Sequence, residues 1–507
     1  MISKISSCAV VGLDAQRVEV EVDVANGLPS MIVVGLPDKA VQEARERVRS
    51  AIKSAGVSVP SKRIVINLAP ADLKKEGPAY DFPIAVGILA GLGVIPPVDP
   101  LSLFLGELSL DGELRHTSGI LPMVIMARDQ GFTRVFLPEV NAPEAGLIEG
   151  IEIIGVSALN ELILHLNGEH RIAPQVPTSF SDLQQAEPRF EQDMSVVRGQ
   201  EQVKRVLEIS AAGGHNVLMS GPPGSGKTLL ARTFPSILPT LTIEEALEVS
   251  KIYSVSGLLP PDRPLITTRP YRSPHHTTSR NALVGGGGWP KPGEISLAHR
   301  GVLFLDEFPE FPSPSLEALR QPLEDGVVTI SRVQGTLTFP ARFILIAAMN
   351  PCPCGYATDP ERSCQCTPFQ IAKYQKRISG PLLDRIDLHI SVPRVKYDKL
   401  SDEHPAEPSR DIRTRVQNAR DIQRVRFADS PSVANVDMSA REIREVCVVD
   451  GAGQDLLRLA VSQMHLSGRA YHRILKLSRT IADLSLSEAI RSEHIAEAIQ
   501  YRPKEVV

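Results

Sequence analysis

Eight consecutive residues, Gly221-Pro222-Pro223-Gly224-Ser225-Gly226-Lys227-Thr228, follow the pattern G-x-x-x-x-G-K-[ST]. They stand directly after the apolar run Val217-Leu218-Met219 and before a helical run from Leu229 to Phe234. Glycines in this pattern let backbone N–H groups close around phosphates at a helix amino terminus, Lys227 reaches β- and γ-phosphates, and the Thr228 hydroxyl ligates Mg²⁺. Lys227 is followed 79 positions later by Asp306, in the segment Gly301-Val302-Leu303-Phe304-Leu305-Asp306-Glu307, an apolar strand ending in two carboxylates. Asp306 would help hold Mg²⁺ and Glu307 would polarise an attacking water, since phosphoryl transfer needs both charge neutralisation and a positioned nucleophile. A plain Gly-Pro loop and a pair of solvated turn acids are the competing readings; the flanking strand and helix argue against the first, and the presence of the phosphate loop argues against the second.

Such groups need a sheet to hold them. Val217-Leu218-Met219, Val302 to Leu305 and Phe343 to Ala347 read as buried parallel strands separated by helical and loop segments, an α/β nucleotide-binding pattern. The third strand runs out at Met349-Asn350, delivering an amide where a γ-phosphate or water would be sensed. Arg385 lies in Leu382-Leu383-Asp384-Arg385-Ile386-Asp387, and Arg469 opens a helical pattern reaching Leu484. By residue type alone either arginine is as readily a surface cation. From 410 onward, capping-box spacing at Ser439 to Glu442 and apolar Ile474, Leu477, Ile481 and Leu484 predict helices.

The first 165 residues alternate strand and helix signals. Val18, Val20, Val22 and Val24 alternate with charged residues and lead through Asn26-Gly27 to Met31–Val34, which predicts a β-hairpin with one buried face. A helix capped by Asp38, striped by Val41, Ala44, Val48, Ala51 and Ile52 and ended by Gly56 should follow. A strand over Ile64 to Leu68, a helix after Asp81, a hairpin turning at Asp111-Gly112 and a helix from Pro122 complete a mixed α/β region. Residues 170–192 are proline-rich, mostly polar and without a sustained period, as in a linker.

At 507 residues the chain exceeds one hydrophobic core, and 42% apolar with 22% charged residues exclude wholesale disorder. The amino terminus has no apolar run of signal-peptide length, and the longest apolar stretch, Phe82 to Val98, is interrupted by Pro83, Pro96 and Pro97. A soluble, cytoplasmic protein is the expectation. The net charge of -4 excludes a uniformly basic surface, yet residues 1–170 carry -7 and the remainder +3, so a polyanion would meet the later part. Six cysteines make no disulfide scaffold, although Cys352, Cys354, Cys364 and Cys366 form C-x-C, nine residues, C-x-C. Four thiolates satisfy tetrahedral Zn²⁺, but the spacing is tighter than usual, and free thiols or a redox pair remain open. Cys8 and Cys447, alone in apolar surroundings, read as small buried hydrophobes.

In order, these segments resemble the AAA+ ATPases, and among them the magnesium-chelatase-like YifB/ComM family. The motifs are Gly221 to Thr228, Ser273-Pro274-His275-His276, Pro292 to Ala298, Gly301 to Glu307, Asn350-Pro351-Cys352-Pro353-Cys354-Gly355 and Ser379 to Arg385. The likeness spans nearly the whole chain. It implies an α/β multidomain fold: a Lon-protease-like α+β domain over 1–169, a linker over 170–192, an AAA+ P-loop core over 193–394 with an insert and the cysteine-rich loop, and an α-helical lid over 395–507. It also implies Asn350 as the first sensor, Arg385 as an arginine finger completing a neighbour's site, Arg469 as the second sensor and Asp193 to Glu201 beside the base. A finger acting on a neighbour implies a ring, by similarity a hexamer.

The family resembles the helix-two-insert, pre-sensor-hairpin branch, whose extra elements point into a pore. The insert would begin after the helix started by Thr242 and Glu245 and contains Arg269, Arg272, His275, His276, Arg280 and Gly285 to Gly288. A second hairpin is expected between Val327 and Phe339, with Arg332 near its turn as a DNA phosphate contact. Trp289 is the only tryptophan, so phosphate tracking rather than base stacking is expected. The resemblance implies a DNA motor, a helicase or translocase acting in branch migration during recombination or DNA uptake. A protein-remodelling machine, a magnesium-chelatase metal-insertion subunit and a nucleotide-binding regulator remain open alternatives.

The amino-terminal likeness to Lon proteases rests on Gly106 to Arg115 and Gly77-Pro78-Ala79-Tyr80-Asp81. Ala79 stands where those proteases place a serine, and no lysine occurs between Lys75 and Lys204. Without nucleophile and amine a Ser-Lys dyad cannot form, so a scaffold or DNA-contacting role is expected.

Overall fold

The computed structural model describes residues 2–502 except 36–38, Lys74, Glu76, Ser179, 181–189, Gly288, Trp289, Val333, Gln334, 396–398, 400–405 and His465. The expected cap Asp38, Trp289 and the tip of the second hairpin therefore lie outside the described residues. Two units result, one of residues 1–187 and 243–267, the other of residues 188–242 and 268–507. Among the described residues no helix is long and apolar enough to cross a membrane.

The first unit is built on a seven-stranded sheet. In chain order its elements are β1 (Ile2–Val11), β2 (Asp14–Ala25), β3 (Ser30–Val34), α1 (Lys39–Ser54), β4 (Arg63–Ala69), α2 (Asp81–Leu92), β5 (Ser102–Phe104), β6 (Glu107–Leu108), β7 (Leu114–Arg115), α3 (Ile120–Asp129), β8 (Arg134–Pro138), α4 (Ala142–Ala145), β9 (Glu152–Val156) and α5 (Leu159–Leu166). The sheet order is β3-β4-β2-β1-β5-β8-β9. β5 and β8 lie parallel and send alternate residues to two cores: Phe104 and Phe136 stack at 4.7 Å on one side, while Leu103, Val135 and Leu137 enter the other. A strand covered on both faces has no polar alternation to show. α1 buries its expected stripe, Val41, Ala44, Val48, Ala51 and Ile52. The short β6–β7 hairpin turns at Gly112, whose φ is 91°.

The hairpin expected between Val18–Val24 and Met31–Val34 does not form, because β4 lies between them. β2 pairs antiparallel with β1 and β4, opposing Val20 to Leu68, Val22 to Ile66 and Val24 to Ile64, all buried. These apolar cross-strand pairs outweigh local closure through Asn26-Gly27. β3, with no fully buried residue, lies parallel to β4 at the sheet edge.

A long helix, Ile243–Ser256, belongs to this first unit although it comes after the phosphate-loop pattern. Leu247 packs into the core around α3, the Gly119 N–H donates to the Ser254 carbonyl at 2.9 Å, and the Ser254 hydroxyl donates to buried Glu144. Glu144 also accepts from the Leu121 N–H at 3.1 Å and the Asn141 amide at 3.2 Å. Burial raises its pKa, against the pull of these donors.

The second unit holds a parallel sheet of β10 (Val217–Ser220), β11 (Tyr271–Arg272), β14 (Val302–Leu305), β17 (Ile344–Met349) and β18 (Leu388–Ser391). Two small antiparallel ribbons accompany it, β12 (Gly285–Gly286) with β13 (Lys291–Pro292) and β15 (Val327–Arg332) with β16 (Gly335–Pro340). The sheet order β11-β14-β17-β10-β18 inserts β17 between β14 and β10. The ends of these three strands therefore lie side by side. Residues beyond 408 are mainly helical, and Ile474, Leu477 and Ile481 of helix Gly468–Leu484 enter the same core as β10. Ser439 caps the helix Ala440–Val446 in a capping box with Glu442.

Candidate active site

β10 ends at Ser220 and the chain turns through six residues into the helix Lys227–Thr233. Gly221 has no room for a side chain, since a Cβ would stand 2.2 Å from the Val392 carbonyl oxygen. Gly224 and Gly226 adopt φ of 75° and 89°, the left-handed region that glycine enters without strain. The Lys227 ammonium donates to the carbonyls of Gly221 and Pro222 at 2.7 and 3.0 Å and to Asn350 Oδ1 at 3.3 Å. Burial lowers the Lys227 pKa, and nearby Asp306 opposes that shift. The lysine is thus folded back on its own loop, in reach of a phosphate that would replace those carbonyls.

Thr228 Oγ1 donates to Asp306 Oδ2 at 2.7 Å. Two oxygens at that spacing match neighbouring ligands of an octahedral Mg²⁺, whose edge is about 2.9 Å for Mg–O of about 2.05 Å. The oxygen pair, the buried ammonium and the open glycine loop fit a nucleoside triphosphate with Mg²⁺. Glu307 follows at φ 51°, a left-handed conformation that is uncommon for a side-chain-bearing residue. Its carboxylate Oε2 lies 2.9 Å from Nδ1 of His276, which follows β11, the strand beside β14.

Arg385 and Arg469 come together, but elsewhere. Both pair with Glu324, Arg385 closely and Arg469 at 3.9 Å, and Arg385 also donates to the Pro381 carbonyl at 2.6 Å. Among the described residues neither makes a hydrogen bond or ion pair with the phosphate loop, Asp306 or Glu307. The segment carrying Arg385 is fixed to the base of the sheet by Asn216, which donates to the Arg385 carbonyl at 3.0 Å and accepts from the Leu345 N–H at 2.8 Å. Asp387 stands 3.4 Å from both His215 and Arg473. Burial would raise the Asp387 pKa, but His215 and the nearby cations outweigh it and hold the carboxyl below its usual range.

The β15–β16 ribbon lies in the connection from β14, which precedes Asp306, to β17, which precedes Asn350, after two short helices, Ser313–Glu317 and Arg320–Asp325. Thr329, Ser331, Arg332, Thr336 and Thr338 are exposed on it. Arg332 donates to Asn281 Oδ1 at 3.2 Å and lies against Gly286, so this ribbon meets the glycine-rich one. Two other arginines of the insert are engaged within the fold. Arg269 donates to the carbonyls of Pro239 and Arg300 at 2.7 Å each, and Arg272 pairs with Glu294 at 2.7 Å. The helix expected to lead into the insert is the one incorporated in the first unit.

Cys352, Cys354, Cys364 and Cys366 bring their sulfurs within 4.8 Å of one another. Backbone hydrogen bonds from Tyr356 and Gln365 pull the Cys354 thiol down to about 6. Cys8 and Cys447 are buried. In the amino-terminal unit, the Gly77 to Asp81 segment ends in a buried carboxylate, Asp81, which accepts from Arg47 Nε at 2.7 Å and Nη2 at 3.1 Å.

His276, Glu324 and Asp387 gave no chemical signal in the sequence. His276 stands in the Ser273 to His276 motif and among the insert's residues, and its carboxylate partner is 31 residues away. The one available hint was the placement of that motif just past a short strand ahead of the Asp306 strand.

Three family models match the chain: "Magnesium chelatase, subunit ChlI" over residues 193–400, "Subunit ChlI of Mg-chelatase" over 20–141 and "Magnesium chelatase, subunit ChlI C-terminal" over 406–502. The chain is 42% identical over 504 residues to the uncharacterised protein YifB of Escherichia coli, covering 99% of this chain and 97% of that protein. It is also 42% identical over 504 residues to the competence protein ComM of Haemophilus influenzae, covering 98% and 96%. The 38 kDa magnesium-chelatase subunit of Rhodobacter capsulatus is 25% identical over 60% of this chain and 89% of its own length. With the near-full-length identity and a phosphate loop, acidic strand end and amide strand end brought side by side, the chain belongs to the YifB/ComM family of magnesium-chelatase-like AAA+ ATPases.

Proposed function

We propose that the chain is a cytoplasmic, ring-forming, ATP-dependent DNA motor, a translocase or helicase that drives branch migration during recombination or DNA uptake. The observation that carries this reading is the place of the β15–β16 ribbon, which leads directly into β17, the strand that ends at Asn350. β17 begins just after the ribbon and ends at Asn350, so a change sensed at Asn350 would reach the ribbon along one strand, and the ribbon carries exposed Arg332. Exposed hydroxyls and a guanidinium suit contact with a phosphate backbone. That the Haemophilus relative is a competence protein supports DNA as the substrate.

In this reading Lys227 and the loop from Gly221 to Thr228 hold the triphosphate, Thr228 and Asp306 hold Mg²⁺, and Glu307 polarises water. Asn350 senses the γ-phosphate. Arg385 is the finger that serves a neighbouring subunit of a hexamer, which suits its making no contact with its own phosphate loop among the described residues, and Arg469 is the second sensor on the lid; both share Glu324. The helical region after 395 is the lid, and the Lon-like amino-terminal domain is a scaffold without proteolytic chemistry. The four cysteines carry one structural zinc ion.

Steady-state ATP hydrolysis with single-stranded, duplex and four-way-junction DNA at low and moderate salt tests the reading, with unfolded polypeptide as competitor. Stimulation by DNA, strongest on the junction and absent in Glu307→Gln, is expected. Stimulation by polypeptide alone would make the chain a protein-remodelling ATPase.

A further inference from the structure

The cysteine loop is bound to the ATP site at its start and along its first half. It leaves the site at Asn350, whose side chain faces Lys227 at 3.3 Å, and one residue earlier the Met349 carbonyl accepts from the Gly221 N–H at 3.2 Å. Gly355, at φ 86°, lies so close to the phosphate loop that a Cβ there would stand 2.6 Å from Pro223 Cδ. On the far side Asp359 forms an ion pair at 2.7 Å with Arg394, two residues after Val392, whose carbonyl presses on Gly221. Residues 351–359 thus run from the end of β17, across Pro223, to the chain just past β18.

The loop has little of its own to hold this path. It forms no helix or strand, and most of its side chains are half-buried or exposed. Its compact feature is the sulfur cluster. Cys352 Sγ lies 3.3 Å from Cys354 and 3.7 Å from Cys364, and Cys354 lies 3.6 Å from Cys364. A tetrahedral zinc with Zn–S of about 2.3 Å has S···S edges of about 3.8 Å. A disulfide needs about 2.05 Å, and all four cysteines are free.

We propose that zinc on Cys352, Cys354, Cys364 and Cys366 is a clamp on the ATP site. By fixing the loop against Pro223 and behind Asn350, it holds the phosphate loop in its binding conformation, so zinc occupancy sets nucleotide affinity. This rests on the zinc reading of the four thiols and is independent of what the motor acts on. The binding energy of such an ion is available to order a segment that lacks a core.

The full chain, purified without chelator, is assayed for zinc by mass spectrometry, and the metal is then released with p-hydroxymercuribenzoate and followed with a chromogenic chelator. Affinity for a fluorescent ATP analogue is measured before release, after release with the mercurial removed by thiol, and after zinc is restored. The expected result is one zinc per chain, affinity falling roughly tenfold or more on release, and recovery with zinc. Gly355→Val, which wedges a side chain between loop and Pro223, is expected to keep the zinc and lose affinity. A chain free of zinc, with reduced thiols or with intrachain disulfides, overturns the zinc reading and the clamp together. Stoichiometric zinc whose release leaves affinity unchanged, in a chain with an unaltered circular-dichroism spectrum, overturns the clamp alone.

Discussion

His276 Nδ1 lies 2.9 Å from Glu307 Oε2, so the carboxylate proposed to polarise water is held by a side chain from the neighbouring strand end. A carboxylate occupied by an imidazole is less available to a water molecule. His276→Ala is therefore expected to raise basal ATP hydrolysis several-fold and to shrink the ratio of DNA-stimulated to basal rate. A steady-state assay with and without DNA reads both. Loss of hydrolysis with nucleotide binding intact would instead make the histidine a positioning residue for Glu307.

Glu307→Gln removes the acid while keeping its shape. Nucleotide affinity should stay within about twofold of the parent chain and turnover should fall by roughly 10² to 10⁴. Lys227→Ala should show the opposite pattern at the binding step, because the ammonium now sharing Asn350 and two loop carbonyls is the group that a triphosphate would take over. Equilibrium binding of a fluorescent nucleotide separates the two.

Arg385, which pairs with Glu324 and makes no contact with its own phosphate loop among the described residues, is the finger proposed to act on a neighbouring subunit. Arg385→Ala and Glu307→Gln, each inactive alone, should recover part of their ATPase activity when mixed. In a mixed ring some interfaces combine an intact Glu307 with an intact Arg385. No recovery under conditions that exchange subunits would place both residues in one subunit's site.

Arg332→Ala should leave basal hydrolysis unchanged and weaken stimulation by DNA. If the residue meets one phosphate, the slope of log affinity against log salt should fall by about 1. An unchanged slope would remove Arg332 from the DNA surface.

Asp81 offers a pH test of the amino-terminal unit. Burial raises its pKa, Arg47 opposes that, and the net value is about 6, above the ordinary 3.8. Between these values the folded chain binds more protons than the unfolded one, so this contribution to stability falls as pH rises from about 4 to 6. Asp81→Asn lacks that dependence. The stability difference between the two chains, followed by urea unfolding, should change across that window by at most about 1.4 kcal/mol per pH unit.

The nucleotide loop was legible because its chemistry is local. Gly224 and Gly226 need left-handed backbone, Lys227 follows at once, and the flanking strand and helix carry their own periodicity. Asp306 and Asn350 were legible as strand ends for the same reason. What the sequence could not show is partnership across the fold. Val20 could pair with either neighbour by pattern, and the choice of Leu68 depends on a strand some forty residues away. β1 was missed because its middle residues are buried without alternation. Glu324 was silent for a similar reason: an exposed acid acquires meaning only when two distant arginines reach it.

The helix Ile243–Ser256, which completes the first unit from beyond the phosphate loop, bears on how the molecule is made. Domains emerging from a ribosome tend to fold in order of synthesis. Here translation has to pass the phosphate loop and supply Ser254 before Glu144 gains its hydroxyl donor and the α3 core gains Leu247. A fragment ending near residue 190 would leave that acid and that apolar surface uncovered, so the first unit has to be expressed together with the segment that follows the nucleotide loop.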